Sequence, residues 1–325
     1  MQTSRPRTPD AAPVPYLLER SSEDRASEAW LPSVTADPET RYLPILSGRS
    51  AHSGAVEADG ARLRWFTRDE VAAFAPRDAA EIYLGRLNDD AASPAAGRHL
   101  VAVVVDVVAE ERFASYRRLR ELAPLLDAAE AEILISATAI VNWHAGHTHC
   151  PRCGAPTVVV HSGWVRRCSA DGTEHFPRTD PAIIVSIIDR EDRLLLGANA
   201  RWGGQRYSTL AGFVEPGESL EAAVVREVAE EAGIVVHSPE YVASQPWPFP
   251  ASLMLAFRAQ TDDVDVVPDG EEIIDLRWFT RDQLAEDVRS GRIAAPTPAS
   301  VARSLIELWY GGPLPEPRQP ESQRA

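Results

Sequence analysis

Glu227, Glu230 and Glu231 stand at i, i+3 and i+4, so on a helix their three carboxylates share one face. Like charges crowded in this way are unfavourable unless something positive lies among them. Hard, oxygen-seeking Mg²⁺ or Mn²⁺ suits such a face, because either ion bridges carboxylates and the oxygens of a substrate phosphate. Three glutamates alone also describe an ordinary solvated helix face, so their surroundings matter. Gly212 and Gly217 permit tight turns before the helix, and Gly233 is placed to stop it. Ser219 can cap its start, although Ala222 stands where a full capping box places a glutamate.

The complete spacing over 212–234 resembles the Nudix box, G-x5-E-x7-R-E-U-x-E-E-x-G-U, in which U is Ile, Leu or Val. Gly212, Glu218, Arg226, Glu227, Val228, Glu230, Glu231, Gly233 and Ile234 meet every defined position. At average residue usage the chance of this is on the order of 10⁻⁹ per starting position. The resemblance implies that Glu227, Glu230 and Glu231 hold the catalytic metals. It also implies that Arg226 orients the carboxylates by ion pairing with Glu218. The chemistry agrees, since hydrolysis of a pyrophosphate requires neutralised phosphate charge and a positioned, activated water.

Downstream, Ser244-Gln245-Pro246-Trp247-Pro248-Phe249-Pro250-Ala251-Ser252 sets two aromatics among three prolines. A stiff aromatic loop suits contact with a flat base or nicotinamide ring, and it equally suits a structural plug. With a Nudix box at this distance, the segment is similar to the SQPWPFPxS signature of the NADH pyrophosphatase family, matching at all eight defined positions. The resemblance runs through most of the chain, and it implies a homodimer that cuts NADH or NAD⁺ into nicotinamide mononucleotide and AMP. Some family members remove NAD caps from RNA. It further implies that Glu272 completes the metal site, with the adjacent Glu271 as the alternative. Phe213 would stack on the base, and Phe176 would reach the site across the dimer. Gln245, Trp247, Phe249, Ser252, Met254 and Ala302 would line the dinucleotide pocket.

All three cysteines fall in one window. Cys150-Pro-Arg-Cys153-Gly154 is a zinc-knuckle half-site, and Cys168-Ser-Ala-Asp171-Gly172 keeps the spacing of a second half with Asp171 in place of the fourth cysteine. Asp171 can ligate Zn²⁺ through oxygen, and His149 and His175 are spare candidates. The alternative is a ribbon that folds without metal. With zinc or without it, the module reads as structural.

The elements that must position these residues follow from the pattern. The first 40 residues, rich in Pro, Ser, Thr and charge, read as a loose lead-in. An N-terminal α/β domain is expected over 41–145, with a Val-rich strand over 99–108 and helices over 113–122 and 127–143. The second of these helices places Ile133, Ala137, Ile140 and Val141 on one stripe. The cysteine module takes 146–180. The catalytic domain, 181–325, opens with a hairpin of 182–189 and 193–198. Helices over 220–232, 281–290 and 299–310 interleave with strands over 253–260 and 273–279, which predicts a Nudix α/β/α sandwich on a mixed sheet. Leu63-Arg-Trp-Phe-Thr-Arg-Asp69 recurs as Leu276-Arg-Trp-Phe-Thr-Arg-Asp282. The echo reads either as a common strand-to-helix junction or as the mark of a duplication whose first copy is a degenerate Nudix-like fold. No acidic helix follows the first copy, so catalysis is assigned to the second.

Composition bounds the partners. The 325 residues carry a formal net charge of −15, so the surface as a whole repels nucleic acid and anionic membranes, and a polyanionic substrate needs local capture. No apolar run reaches the roughly 18 residues that span a bilayer, and residues 1–15 lack the apolar core of a signal peptide; a cytoplasmic location is the expectation. The function expected is metal-dependent hydrolysis of NADH or NAD⁺. The alternatives are removal of an NAD cap from RNA, or hydrolysis of a related compound such as ADP-ribose. A non-catalytic nucleotide sensor is disfavoured because no box glutamate is missing.

Overall fold

Runs of β-branched and aliphatic residues become strands throughout the chain, since such side chains pack well on a pleated surface. The computed structural model describes residues 17–46, 54–105, 115–203 and 205–317. The chain divides into two compact units, Met1–Pro177 and Arg178–Ala325. Among the described residues, no helix is long and apolar enough to cross a membrane.

The first unit contains β1 (Leu18–Glu19), α1 (Trp30–Ala36), β2 (Arg41–Leu46), β3 (Val56–Asp59), β4 (Arg62–Leu63) and α2 (Arg68–Ala72). There follow β5 (Glu81–Leu87), β6 (His99–Val105), β7 (Tyr116–Arg117), α3 (Leu119–Leu122) and α4 (Ala128–Gly146). Its sheet runs β1-β5-β6-β2-β3-β4, with β7 also paired to β3. One face carries α1 and α2 over a core of Val34, Tyr42, Phe66, Val71, Tyr83 and Val101, while α4 packs against β1, β2 and β5. Glu130 of α4 is fully buried, yet its carboxylate accepts hydrogen bonds from the Leu63 amide (3.0 Å) and the Ser93 hydroxyl (3.1 Å). A buried carboxylate with such partners ties helix to sheet instead of weakening the core.

Three expectations change here. Residues 18–40, grouped by composition with a loose lead-in, are folded: Leu18 pairs with Leu87 and is buried, and Val34 lies in the core. Composition averages over the charged residues and overlooks these two anchors. Residues 1–16 of that segment lie outside the described residues. Of the helix expected over 113–122, residues 113 and 114 lie outside the described residues, and the remainder holds only α3, because Tyr116 and Arg117 pair with β3. Finally, the stripe on α4 is buried as expected, but Leu134, Ser136, Thr138 and Trp143 are buried as well, so the helix is enclosed on most of its circumference. Residues 106–108 of the expected Val-rich strand lie outside the described residues.

After α4 comes a three-stranded antiparallel ribbon of β8 (Thr157–Val160), β9 (Val165–Cys168) and β10 (Glu174–His175). The second unit then contains β11 (Asp180–Ile188), β12 (Leu194–Asn199), β13 (Tyr207–Ser208), β14 (Leu210–Phe213) and α5 (Leu220–Ala232). It continues with β15 (Val236–Trp247), β16 (Ser252–Thr261), β17 (Ile273–Phe279), α6 (Arg281–Arg289) and α7 (Val301–Tyr310). The sheet runs β13-β12-β11-β16-β15, with β14 paired to β11 and β17 to β12. Ala223, Val224, Val228 and Ala232 of α5 pack on one face over Ile183, Val185, Leu210 and Phe257. On the opposite face Val301, Ala302 and Leu305 of α7 cover Ile184 and Ala256, and α6 closes a neighbouring cluster around Leu194, Leu196 and Phe279. The result is an α/β/α sandwich on a mixed sheet.

The two units share a connection pattern. In the first, β2 and β3 form an antiparallel pair, β2 runs parallel to β6, β5 and β6 are antiparallel, and β7 returns to β3. In the second, β11 with β12, β11 with β16, β15 with β16, and β17 with β12 repeat these relations in the same order. In this correspondence α2, ahead of the pair β5–β6, occupies the place of α5, ahead of the pair β15–β16, and α4 the place of α7. The heptapeptide echo does not follow it: the first copy joins β4 to α2, whereas the second joins β17 to α6. Topology therefore speaks for a duplicated fold, while the echo is a shared solution to one local problem. In each copy a buried phenylalanine stands two residues before the helix: Phe279 ends β17, and Phe66, beyond β4, bridges to Tyr42. In each the next residue, Thr67 or Thr280, forms a full capping box, with Glu70 or Gln283 respectively.

Each cap offers a direct test. Thr67→Ala and Thr280→Ala each remove the oxygen that accepts the first-turn amide, so each is expected to cost about 1 kcal/mol of stability. The measurement is a lower urea midpoint at unchanged slope; an unmoved midpoint would show that the echo carries no capping.

Candidate functional site

The acidic helix is set by its ends and by its buried face. Ser219 accepts the Ala222 amide at 3.2 Å and starts α5; Gly233, left-handed at φ 69°, ends it. With Ala223, Val224, Val228 and Ala232 directed at the sheet, the adjoining edge of the helix carries Glu227 and Glu231, and Arg226 and Glu230 lie further out.

Arg226 is the hub of this edge. Its Nε and Nη2 donate to the two oxygens of Glu218, both at 2.9 Å, in a bidentate pair. Nη1 lies 2.9 Å from Glu227 Oε1 and donates to Glu230 Oε2 at 2.9 Å. Nη2 also donates to the Phe213 carbonyl, at 2.9 Å. The Arg226 hydrogen bonds, aided by the Glu215 amide, hold the Glu218 carboxyl below its ordinary range. Glu227 moves the other way: burial raises its pKa, against the pull of Arg226, and Glu230 and Glu272 add to the rise.

Glu231 differs from its neighbours. It is 5% exposed, and its Oε2 is buried with no hydrogen-bond partner among the described residues. Burial first, then the charges of Glu272, Glu227, Asp269 and Glu230, push its pKa up to about 8. A buried carboxylate oxygen without a donor, ringed by further carboxylates, is costly unless a cation completes it. A divalent ion bound by oxygen fits this donor set.

Glu272 reaches the group from the loop before β17. Asp269 gathers that loop by accepting the amides of Glu271, Glu272 and Ile273 at 3.1, 3.1 and 2.8 Å. Asn199, at the end of β12, donates to Glu272 Oε1 at 3.1 Å, and the Ala200 amide donates to the Glu272 carbonyl at 2.8 Å. Of the two adjacent candidates, Glu272 is the one whose charge acts on Glu227 and Glu231. Sequence reasoning missed Asn199 and Asp269. Only the run Asp269-Gly-Glu-Glu, a turn-forming dipeptide before two acids, hinted at the second.

Gly212 needs a different explanation from the turn expected of it. Its φ is not in the left-handed region, unlike that of Gly217 (φ 91°). A Cβ at position 212 would instead lie 1.9 Å from the Glu227 carboxyl carbon. Glycine is required there by the close approach of a carboxylate.

The expected pocket residues fall into rows across the sheet. Phe213, Ala182, Met254 and Gln245 are register partners across β14, β11, β16 and β15, and Asp180, Ser252 and Trp247 form a second row. Met254 and Ala302 belong to the cluster beneath α7. The Gln245 amide is engaged at the start of α7, donating to the Ala299 carbonyl (2.7 Å) and accepting the Val301 amide (2.8 Å). Ser252 is buried. Half of the proline-rich segment is not a loop: Ser244–Trp247 closes strand β15, and only the following residues turn. The Trp247 and Phe249 rings meet edge to face at 5.1 Å. Phe213 is 57% exposed, and its carbonyl accepts from Arg226 beside the carboxylates. Phe176 belongs to the first unit and is 63% exposed.

In the ribbon, the two knuckles share one geometry. Gly154 and Gly172 donate to the Cys150 and Cys168 carbonyls at 2.9 and 3.1 Å, with φ of 75° and 71°. Asp171 thus stands in the second turn where Cys153 stands in the first. The ligand atoms of Cys150, Cys153, Cys168 and Asp171 all lie within 4.8 Å of one another; His149 and His175 are outside that set. Three thiolates and a carboxylate at this spacing fit Zn²⁺.

Comparison with known proteins agrees with this architecture. The NUDIX domain family matches residues 177–296, the NADH pyrophosphatase zinc ribbon domain residues 146–176, and the NADH pyrophosphatase-like rudimentary NUDIX domain residues 49–143. The last match covers the unit whose topology repeats that of the second. The chain is 39% identical over 258 residues to the NAD-capped RNA hydrolase NudC of Stutzerimonas stutzeri, spanning 78% of this chain and 90% of that protein. It is 38% identical over 240 residues to the protein of the same name from Mycobacterium bovis, covering 70% and 74% of the two chains. A human NAD-capped RNA hydrolase is 38% identical over 192 residues, 55% of this chain and 42% of its own.

The glycine provides the test of this geometry. Gly212→Ala is expected to leave the fold intact, because the atoms it meets are the end of a side chain, and to expel the Glu227 carboxylate from its place by Arg226. Turnover is then expected to fall on the order of 10²-fold at a nearly unchanged Tm. Full turnover in the folded variant would rule out that close approach.

Proposed function

This chain belongs to the Nudix hydrolases of the NADH pyrophosphatase arrangement, and on that premise we propose that it cleaves the pyrophosphate of NAD carried as a cap on RNA. Water adds to one phosphorus as the bridging P–O bond breaks, giving nicotinamide mononucleotide and an RNA with a 5′-monophosphate. The observation that carries the hydrolytic reading is the buried, partnerless Oε2 of Glu231 among Glu227, Glu230 and Glu272. The cap reading draws on relatives named as NAD-capped RNA hydrolases, aligned over most of both chains. Free NADH or NAD⁺, cut to nicotinamide mononucleotide and AMP, is the second reading. The net charge of −15, which disfavours RNA in bulk, supports it.

In this reading Glu227, Glu230, Glu231 and Glu272 hold Mg²⁺ or Mn²⁺, which supplies neutralisation of phosphate charge and acidification of water. Arg226 keeps Glu218, Glu227 and Glu230 in register, and its bidentate bond to Glu218 fixes the guanidinium. Asn199 and Asp269 hold the Glu272 loop. Phe213 stacks on the base, and Trp247, Phe249, Ser252, Met254, Gln245 and Ala302 shape the nucleotide pocket. Phe176 is assigned to the site of a partner protomer in a homodimer. Cys150, Cys153, Cys168 and Asp171 hold a structural zinc.

Products from NADH, NAD⁺, ADP-ribose and NAD-capped RNA at matched concentrations test the substrate. Capped RNA is expected to show the highest kcat/KM, with nicotinamide mononucleotide released; comparable cleavage of all four would sink the cap reading. Glu230→Gln keeps size and helix propensity while removing a ligand charge, so turnover is expected to drop on the order of 10²-fold or more in a folded protein. Near-normal activity would falsify the metal role. For the ribbon, elemental analysis is expected to find zinc in the native protein and in Asp171→Cys, and to find it depleted in Asp171→Ala. Zinc retained in Asp171→Ala would exclude the aspartate as a ligand.

A further inference from the structure

Arginine pairing in the second unit is nearly complete, and its exceptions are grouped. The chain contains no lysine, so every basic side chain is an arginine. Between residues 178 and 317 nearly all of them face a carboxylate; Arg201, Arg206 and Arg289 have no acidic partner among the described residues. Arg201 and Arg206 lie on one loop, between β12 and β13, and bracket Trp202. Trp202 is 42% exposed, and the Arg206 guanidinium lies 5.4 Å from the centre of its ring.

Both ends of this loop are fastened. At its start, the Asn199 side chain and the Ala200 amide donate to Glu272, the distal carboxylate of the site. At its end, the Ala294 amide donates to the Gln205 carbonyl at 2.8 Å, and the Tyr207 amide donates to the Ala294 carbonyl at 3.2 Å. Trp202 is three residues beyond Asn199, hence at most about 11 Å of chain from it. A flat aromatic face and two uncompensated cations are thus presented next to the pyrophosphate-cleaving carboxylates of a protein whose net charge is −15. Single-stranded nucleic acid is recognised by this combination, the ring stacking a base and the cations pairing with phosphates.

We propose that Trp202, Arg201 and Arg206 form the landing site for the first nucleotides of single-stranded RNA beyond the cap. The inference rests on the NAD-cap reading above and specifies how an acidic protein captures a polyanionic strand: locally, at one loop. Free NADH ends at its adenosine whereas a capped strand continues beyond it, so a loop that holds the strand discriminates between the two substrates. Among the described residues no hydrogen bond or ion pair joins the side chains of Arg201, Trp202 or Arg206 to the site's carboxylates, so their removal is expected to leave those carboxylates in place.

The test compares NADH with a short NAD-capped RNA, using Trp202→Ala and an Arg201→Ala/Arg206→Ala double variant. For capped RNA, KM is expected to rise about tenfold in each variant, while NADH hydrolysis stays within about twofold. The double variant is also expected to flatten the log–log salt dependence for capped RNA by roughly one unit. Equal losses on both substrates, or no loss on capped RNA, would overturn the proposal. Fluorescence anisotropy with an uncapped, 5′-phosphorylated single strand separates this inference from its premise. If the wild type binds the strand and the variants do not, the loop assignment stands even where capped RNA is not cleaved. Absence of binding by the wild type, or equal binding by all three proteins, refutes it.

Discussion

Carboxylates gathered on one helical edge repel one another, and in this chain the first charge that holds them together is Arg226. One guanidinium reaches Glu218, Glu227, Glu230 and the carbonyl of Phe213, so it links the loop before α5, the helix itself and the end of β14. Five donors in a fixed planar fork make this possible; a lysine ammonium in the same place could not satisfy the same geometry. Glu231 lies beyond the reach of that fork, and its buried oxygen is left without a donor. The site is therefore balanced on one side and deficient in positive charge on the other, which is where a cation and a phosphate are wanted.

Packing makes that balance precise. α5 is pinned by the cap at Ser219, the left-handed turn at Gly233 and a face of small aliphatic residues against the sheet. Because Gly212 has no side chain, Glu227 can lie directly against the β14 backbone. From the other side, Asp269 and Asn199 fix the loop that carries Glu272. Each determines where a carboxylate is held. The same attachment fastens the Trp202 loop, so the proposed strand surface and the Glu272 carboxylate share an anchor.

The first unit shows what this fold is without its chemistry. Its strands repeat the pairing order of the second unit, but the place of α5 is taken by the five-residue α2, which has no room for a box of glutamates. Its apolar faces still form a full core, and the buried carboxylate of Glu130 accepts hydrogen bonds from the Leu63 amide and the Ser93 hydroxyl. The sheet and its helices thus bury a core without an acidic helix, so the acidic edge of α5 is an addition to the shared fold and not a condition of it.

Much was legible in the sequence, for a physical reason: helix periodicity, caps and box spacing are local. The i, i+3, i+4 glutamates, the Ser219 and Gly233 boundaries, the strand runs and the two knuckles all follow from neighbours along the chain. The folded state of residues 18–40 was not legible, because two buried side chains in a polar stretch leave composition unchanged. Nor could one sequence separate Glu272 from Glu271, since adjacent acids differ only in which way the loop turns them. Gly212 was read as a turn, whereas its reason is a carboxylate fifteen residues away in sequence. The heptapeptide echo allowed either a common strand-to-helix junction or the trace of a duplication, and the pairing order showed that its two copies sit at different places in the repeated fold. Which residues could do chemistry was determined by spacing; which carboxylates meet, what holds them apart and what the glycine makes room for were decided by contacts between segments far apart in sequence, which only the folded sheet brings together.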